Sequence, residues 1–152
     1  MSSVLPWSVV PRQYPPDGVE FELAINQSFT GLEMVHRFGY NPEGWEFNGE
    51  EIVVPQRKFF KLVPIGFRGD FSAFEAENRK QGVIPDGQWC DAFKEQFPEC
   101  DGKGPVGVAK ASWTYRGNGP SFPCVWIHGR KDFFLARSDF RLDWRCLIET
   151  RA

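Results

Sequence analysis

No stretch of this sequence approaches the roughly 18 consecutive apolar residues that a membrane-crossing helix needs, so no membrane partner is expected. The opening Met1-Ser-Ser-Val-Leu-Pro-Trp-Ser-Val-Val-Pro11 lacks the positive n-region of an export signal, and Pro6 and Pro11 interrupt its apolar run. Histidine is scarce, with two residues, and cysteine never occurs as a close pair. Cys90, Cys100, Cys124 and Cys146 are separated by 9, 23 and 21 residues, whereas structural zinc sites draw their ligands from cysteines two to four residues apart. No metal and no other cofactor is expected. Without an export signal the thiols should be reduced and the location cytoplasmic.

Familiar catalytic patterns are missing as well. Neither G-x-S-x-G nor H-E-x-x-H occurs. The Gly102-Lys-Gly-Pro105 loop has proline where a phosphate cradle needs an N–H donor, and Gly66-Phe-Arg-Gly69 lacks the length and the Lys-Ser/Thr ending of a P-loop. Asp132, Asp139 and Asp143 show no diagnostic spacing. Cys124 and His128 on one extended strand would stand about 13 Å apart, too far for direct proton transfer. An enzyme would have to assemble its site from remote residues such as His36, Cys124 and His128.

What the sequence has in abundance is aromatic residues, 16% of a 152-residue chain, including 15 Phe and 6 Trp. Rings of this kind dominate both cores and interfaces. The length suits one domain with a core of its own. Net charge is −2, yet residues 1–102 carry 9 Lys/Arg against 16 Asp/Glu and residues 103–152 carry 9 against 4. Such asymmetry arises from a polyanion-binding face, or from two halves that attract each other.

Residues 1–18 hold Pro6, Pro11, Pro15 and Pro16 and read as a Pro-rich extended arm, with Trp7 and Tyr14 available to pin it to the body or to a partner. Residues 19–152 read as a single α+β domain. Val19–Ile25 alternates apolar and charged residues, as a half-buried strand does. Thr30 and Glu33 sit at capping-box spacing ahead of a short helix over 31–38 that can close at Gly39. Gly39–Gly49 is dense in turn formers, and Glu51–Val54 reads as an edge strand stopped by Pro55. Lys58–Ile65, apolar at both parities, predicts a strand covered on both faces.

A pair of helices follows, over about 70–82 with Asp70 as cap, and over about 86–97 with Trp89, Phe93 and Phe97 in one stripe. Short strands are predicted over Val106–Ala109, Ser112–Arg116, Phe122–His128, Asp132–Arg137 and Cys146–Thr150. Strands, a helical pair, then strands, without βαβ alternation, give α+β with a mainly antiparallel sheet.

The run from Phe59 onward, with Phe60-Lys-Leu-Val63, Gly87-Gln-Trp89, Ala92-Phe93, Gly104-Pro-Val-Gly107, Ser112-Trp113, Phe122-Pro123 and Trp144-Arg-Cys-Leu147, resembles a family of uncharacterised bacterial and metagenomic proteins, which implies no function. The element order is also similar to a C-type-lectin-like domain. That likeness implies that the last strand returns beside the strand preceding the two helices. The calcium-site tripeptides of sugar-binding members are absent, so calcium-dependent sugar binding is not implied.

Three functional expectations follow. The first is a non-catalytic binding module that engages another protein or a second copy of itself, with Trp7 and Tyr14 on its arm. The second is nucleic-acid association through the basic, aromatic segment 126–145, in which Trp126, His128, Arg130, Lys131, Phe134, Arg137, Arg141, Trp144 and Arg145 interleave cations with rings. The third is the small enzyme with a remotely assembled site.

Overall fold

Alternation in the first strand segment, the capping pair before Met34 and the aromatic stripe before Pro98 all produce the elements they favour. The computed structural model describes residues 12–137 and 139–151. Among these the order is β1 (Phe21–Ile25), α1 (Gly31–Arg37), β2 (Trp45–Phe47), β3 (Gln56–Gly69), α2 (Phe71–Gln81), α3 (Gln88–Gln96), β4 (Val106–Gly107), β5 (Trp113–Tyr115), β6 (Pro120–Val125), β7 (Lys131–Leu135) and β8 (Phe140–Glu149). The fold is α+β with one mixed, mainly antiparallel sheet. Its strands run in the order β1-β3-β8-β4-β6-β5-β2, with β7 on the other side of β6.

The long β3–β8 pair is the spine, in register from Phe60↔Glu149 to Gly69↔Phe140. β8 thus lies beside the strand that precedes the helical pair, and this one pairing does not by itself make the fold C-type-lectin-like. Trp144–Glu149 are buried without a break, and helices flank the neighbouring β3 on both faces. Phe60 meets Trp89 of α3 at 5.1 Å, while Phe67, at the opposite parity, meets Phe74 of α2 at 5.6 Å. Successive strand residues point to opposite faces, so α2 and α3 lie on opposite sides of β3.

β6 shares one edge between two strands. β4 takes Cys124 and Val125, and β5 takes Pro120 and Ser121. Pro123, which has no N–H to give, falls at the seam between them.

Helix starts are capped as their sequences allow. Thr30 Oγ1 accepts the Glu33 N–H at 3.0 Å, and Asp70 Oδ1 accepts the Ala73 N–H at 2.9 Å. Gly31 opens α1 directly under Phe47, where a Cβ would run into the ring, and its carbonyl accepts the Trp113 indole N–H at 2.8 Å. Those contacts lock α1 to β2 and β5.

Three expectations change. Residues 51–54 are not a strand: Glu51 instead turns its carboxylate to the Gly31 N–H, at 2.9 Å, and so serves α1. A short strand, β2, emerges from the turn-dense segment. β6 stops at Val125, and a turn over Trp126–Gly129 takes His128 out of the sheet, with the Gly129 N–H donating to the Trp126 carbonyl.

Described arm residues 12–18 lie against the body. Tyr14 is 8% exposed and its ring stands 4.8 Å from Phe93. The Gly18 N–H donates to the Leu62 carbonyl, and Arg12 covers Phe97 at 4.2 Å. Trp7 lies outside the described residues.

Candidate functional site: an aromatic cleft between β2, β5 and β7

The groups from which an enzyme could be built are dispersed. Cys90, Cys124 and Cys146 are buried, and burial raises each thiol pKa, that of Cys146 to about 12. A buried thiolate would lose its hydration without compensation, so these groups stay protonated. His36 is exposed on α1, beside Thr30, Glu33 and Arg37. His128 is exposed in its turn, where Nδ1 accepts the Arg130 N–H at 3.3 Å. Neither histidine hydrogen-bonds to Cys124. Among the described residues no group of three His, Cys, Asp or Glu side chains could hold a metal ion.

The basic, aromatic segment splits between core and surface. Trp144 and Arg145 are buried, Trp126, Lys131 and Phe134 are half-buried, and His128, Arg130, Arg137 and Arg141 are exposed. The three rings pack on one another: Trp126 to Trp144 at 5.4 Å, Phe134 to Trp144 at 5.2 Å and Trp126 to Phe134 at 6.2 Å.

Its most buried cations are already neutralised. Lys131 holds Asp91 at 3.0 Å and Glu95 at 3.4 Å. The Arg145 guanidinium, 5% exposed, grips both Asp101 oxygens at 2.7 Å, and it reaches Asp17 Oδ1 at 3.5 Å and the Gly104 carbonyl at 3.3 Å. Its hydrogen bonds hold the Asp101 carboxyl below the usual range. Arg130 lies 3.7 Å from Asp132, and Arg137 lies over the Phe134 ring at 5.8 Å. Ring faces and cations in this segment are thus largely engaged within the chain.

A different set of rings converges at the end of the sheet. Helix α1 closes with the Gly39 N–H on the His36 carbonyl and the Tyr40 N–H on the Val35 carbonyl, which directs the chain into an Asx turn. In that turn Asn41 Oδ1 accepts the Glu43 N–H at 3.0 Å. Gly44, at φ +87°, then delivers Trp45 to β2. Across the β2–β5 pair Trp45 stands opposite Tyr115, with ring centres 5.3 Å apart. Tyr40 is 5.6 Å from Trp45 on the other side. Phe133 closes the floor, 5.0 Å from Trp45.

Tyr40, Trp45 and Tyr115 are each half-buried and wall two adjoining hollows. One, of about 390 Å³, is rimmed by Asn41, Glu43 and Arg116. The other, of about 160 Å³, reaches Asn118, Ser121 and Leu135. The Tyr40 hydroxyl is fixed by Asp132, and both burial and that contact raise its pKa, so it stays protonated.

No family model, no curated protein and no solved structure matches this chain. The likenesses read from the sequence therefore rest on its residues alone.

At the cleft the backbone is also strained. Arg116 has φ +46°, the one positive φ outside glycine among the described residues. Non-glycine residues held in this region cost on the order of 1 kcal/mol or more, and such strain clusters at functional positions. Here the Arg116 N–H donates to the Gly44 carbonyl at 2.9 Å, and its guanidinium lies over Tyr115 at 5.3 Å. Gly44 takes a φ of +87°, which favours glycine, and a Cβ there would stand 2.6 Å from Arg116 Nε, so the Arg116 side chain would have to shift.

The sequence does not single out this site, because Trp45 lies among the turn formers of residues 39–49 and Tyr115 reads as one more ring of a short strand over Ser112–Arg116. The usable signal is Trp45 itself, a large ring inside a turn-rich run with little core to enter.

Proposed function

We propose that the protein is a non-catalytic binding module that engages another protein, taking an extended, proline-bearing segment of that partner in the Tyr40–Trp45–Tyr115 cleft. The supporting observation is the row of three half-buried rings that wall two adjoining hollows. Tyr and Trp give large, stiff contact areas at low entropic cost and recur where binding energy is concentrated. Proline-rich segments are already extended and dock between such rings. Two hollows divided by shared ring walls suit successive side chains of an extended chain. Asn41, Asn118 and Arg116 can donate to its carbonyls.

Panning a random-peptide display library in parallel on the protein and on Trp45→Ala tests this. Peptides containing proline should be enriched on the parent and lost on the variant. Equal enrichment on both proteins, or none on the parent, contradicts the proposal. Trp45 is half-buried on a short edge strand, so the variant should keep its fold, which circular dichroism checks.

A further inference from the structure

Arg68 and Arg141 stand directly opposite each other in the β3–β8 pair. Directly opposed cross-strand residues have Cβ atoms about 5 Å apart, and like charges at such a position destabilise the sheet. Both side chains are exposed. Most other arginines in the described residues have a carboxylate or a ring as partner, as Arg37 has Asp91, Arg79 has Glu75 and Arg151 has Glu20. Among the described residues neither kind of partner is found for Arg68 or Arg141. They border a shallow depression of about 430 Å³ together with Gly66, Phe67 and Asp143.

Gly66 faces Asp143 across the same strand pair. Having no side chain, Gly66 leaves the depression open: a Cβ there would meet only Asp143 Oδ1, at 3.8 Å. The depression therefore offers two guanidinium forks and one carboxylate. That combination selects a particular kind of anion. Two forks give many N–H donors in the planar geometry that suits tetrahedral oxyanions. The carboxylate repels a fully deprotonated anion but accepts a hydrogen bond from one that still carries a proton.

We propose that Arg68, Arg141 and Asp143 form a binding site for a protonated phosphate group, with the arginines holding the P–O oxygens and Asp143 accepting from the P–OH. Hydrogen phosphate meets that requirement across the neutral range. Sulfate, with four oxygens and no proton, does not. A phosphomonoester meets it only below its second pKa of about 6. The site is separate from the aromatic cleft and stands or falls without it.

The test is titration of the full-length ¹⁵N-labelled protein with inorganic phosphate, sulfate or phenyl phosphate. Chloride holds the ionic strength constant, because exposed charges are screened by salt. Phosphate should give saturable shifts at residues 66–68 and 141–143, with sulfate weaker by about tenfold for the lost charge-assisted hydrogen bond. Phenyl phosphate should match phosphate below pH 6 and weaken above it. If it binds equally on both sides of that pH, the requirement for a proton is wrong.

Arg68→Gln with Arg141→Gln should abolish the response, and Asp143→Asn should bring sulfate up to phosphate. The double variant should melt no lower than the parent without phosphate, since a repulsion has been removed, so lost binding would not reflect unfolding. No saturable shift in the parent, an undiminished response in the double variant, or sulfate binding the parent as well as phosphate would overturn the proposal.

Discussion

Arg145 is 5% exposed, so its positive charge needs opposite charge within reach. In the structure its guanidinium joins β8, the loop carrying Asp101 and the arm residue Asp17. Removing one partner of a buried ion pair leaves a charge without compensation, so Asp101→Asn should cost about 3 kcal/mol near neutral pH. The Asp101 carboxyl titrates below its unfolded value of about 3.9. Its contribution is therefore complete above that pH and disappears as pH falls through the lower folded value. Denaturant melts of parent and variant should differ at pH 7 and converge in strong acid. A constant difference across that range would contradict the linkage.

Thiol exposure gives a second test at this scale. Cys100 is partly exposed, whereas Cys90, Cys124 and Cys146 are buried and protonated. An aromatic disulfide reagent should titrate one thiol in the native protein and the other three only on unfolding.

Among the elements, the two sheet faces are unequal to the cleft in what they contribute to stability. Trp89 of α3 is fully buried against Phe60, so Trp89→Ala should cost about 3–5 kcal/mol through lost burial and the cavity left behind. Trp45→Ala, at a half-buried edge position, should cost distinctly less while removing peptide binding. Chemical denaturation of both variants compares them directly.

Elements with a strong local signal were legible in the sequence: the Thr30 and Asp70 caps, the α3 stripe, and the alternation of β1. Others were hidden by their composition. Lys58–Ile65 extends through Gly66 to Gly69, and back to Gln56, to make β3, because β8 pairs it from Phe60 to Gly69 and β1 pairs its first residues. The start of β8 looks like a solvated loop, since Arg141, Asp143 and Arg145 recur at every second position. That spacing is one face of a strand, and Asp101 makes burial of Arg145 tolerable. β2 is three residues among turn formers and exists because β5 pairs with it. Local propensity specifies none of these three; tertiary pairing does.

At the scale of the whole molecule, the charge asymmetry of the sequence resolves into internal attraction. Lys110 pairs with Asp86, Lys131 with Asp91, Arg145 with Asp101 and Arg151 with Glu20. Each joins the basic C-terminal third to the acidic remainder. Cation content alone therefore overstates how basic the outer surface of this segment is. Its rings are likewise packed on each other, while Tyr40, Trp45 and Tyr115 open onto solvent at the far end of the sheet. Of the chosen sequence candidates, Arg141 alone enters a site proposed from the structure, and there it acts with Arg68. Among the described residues no helix is long and apolar enough to cross a membrane.

In the proposed reading a peptide partner sits on the Tyr40, Trp45 and Tyr115 rings and leaves the Trp126, Phe134 and Trp144 ring cluster untouched. Indole N–H resonances separate the two locations in one experiment. On titration of the ¹⁵N-labelled protein with a short proline-rich peptide, the Trp45 indole should shift and saturate while those of Trp126 and Trp144 stay in place. Movement of Trp126 and Trp144 with a stationary Trp45, or no movement of Trp45 at all, would contradict the account.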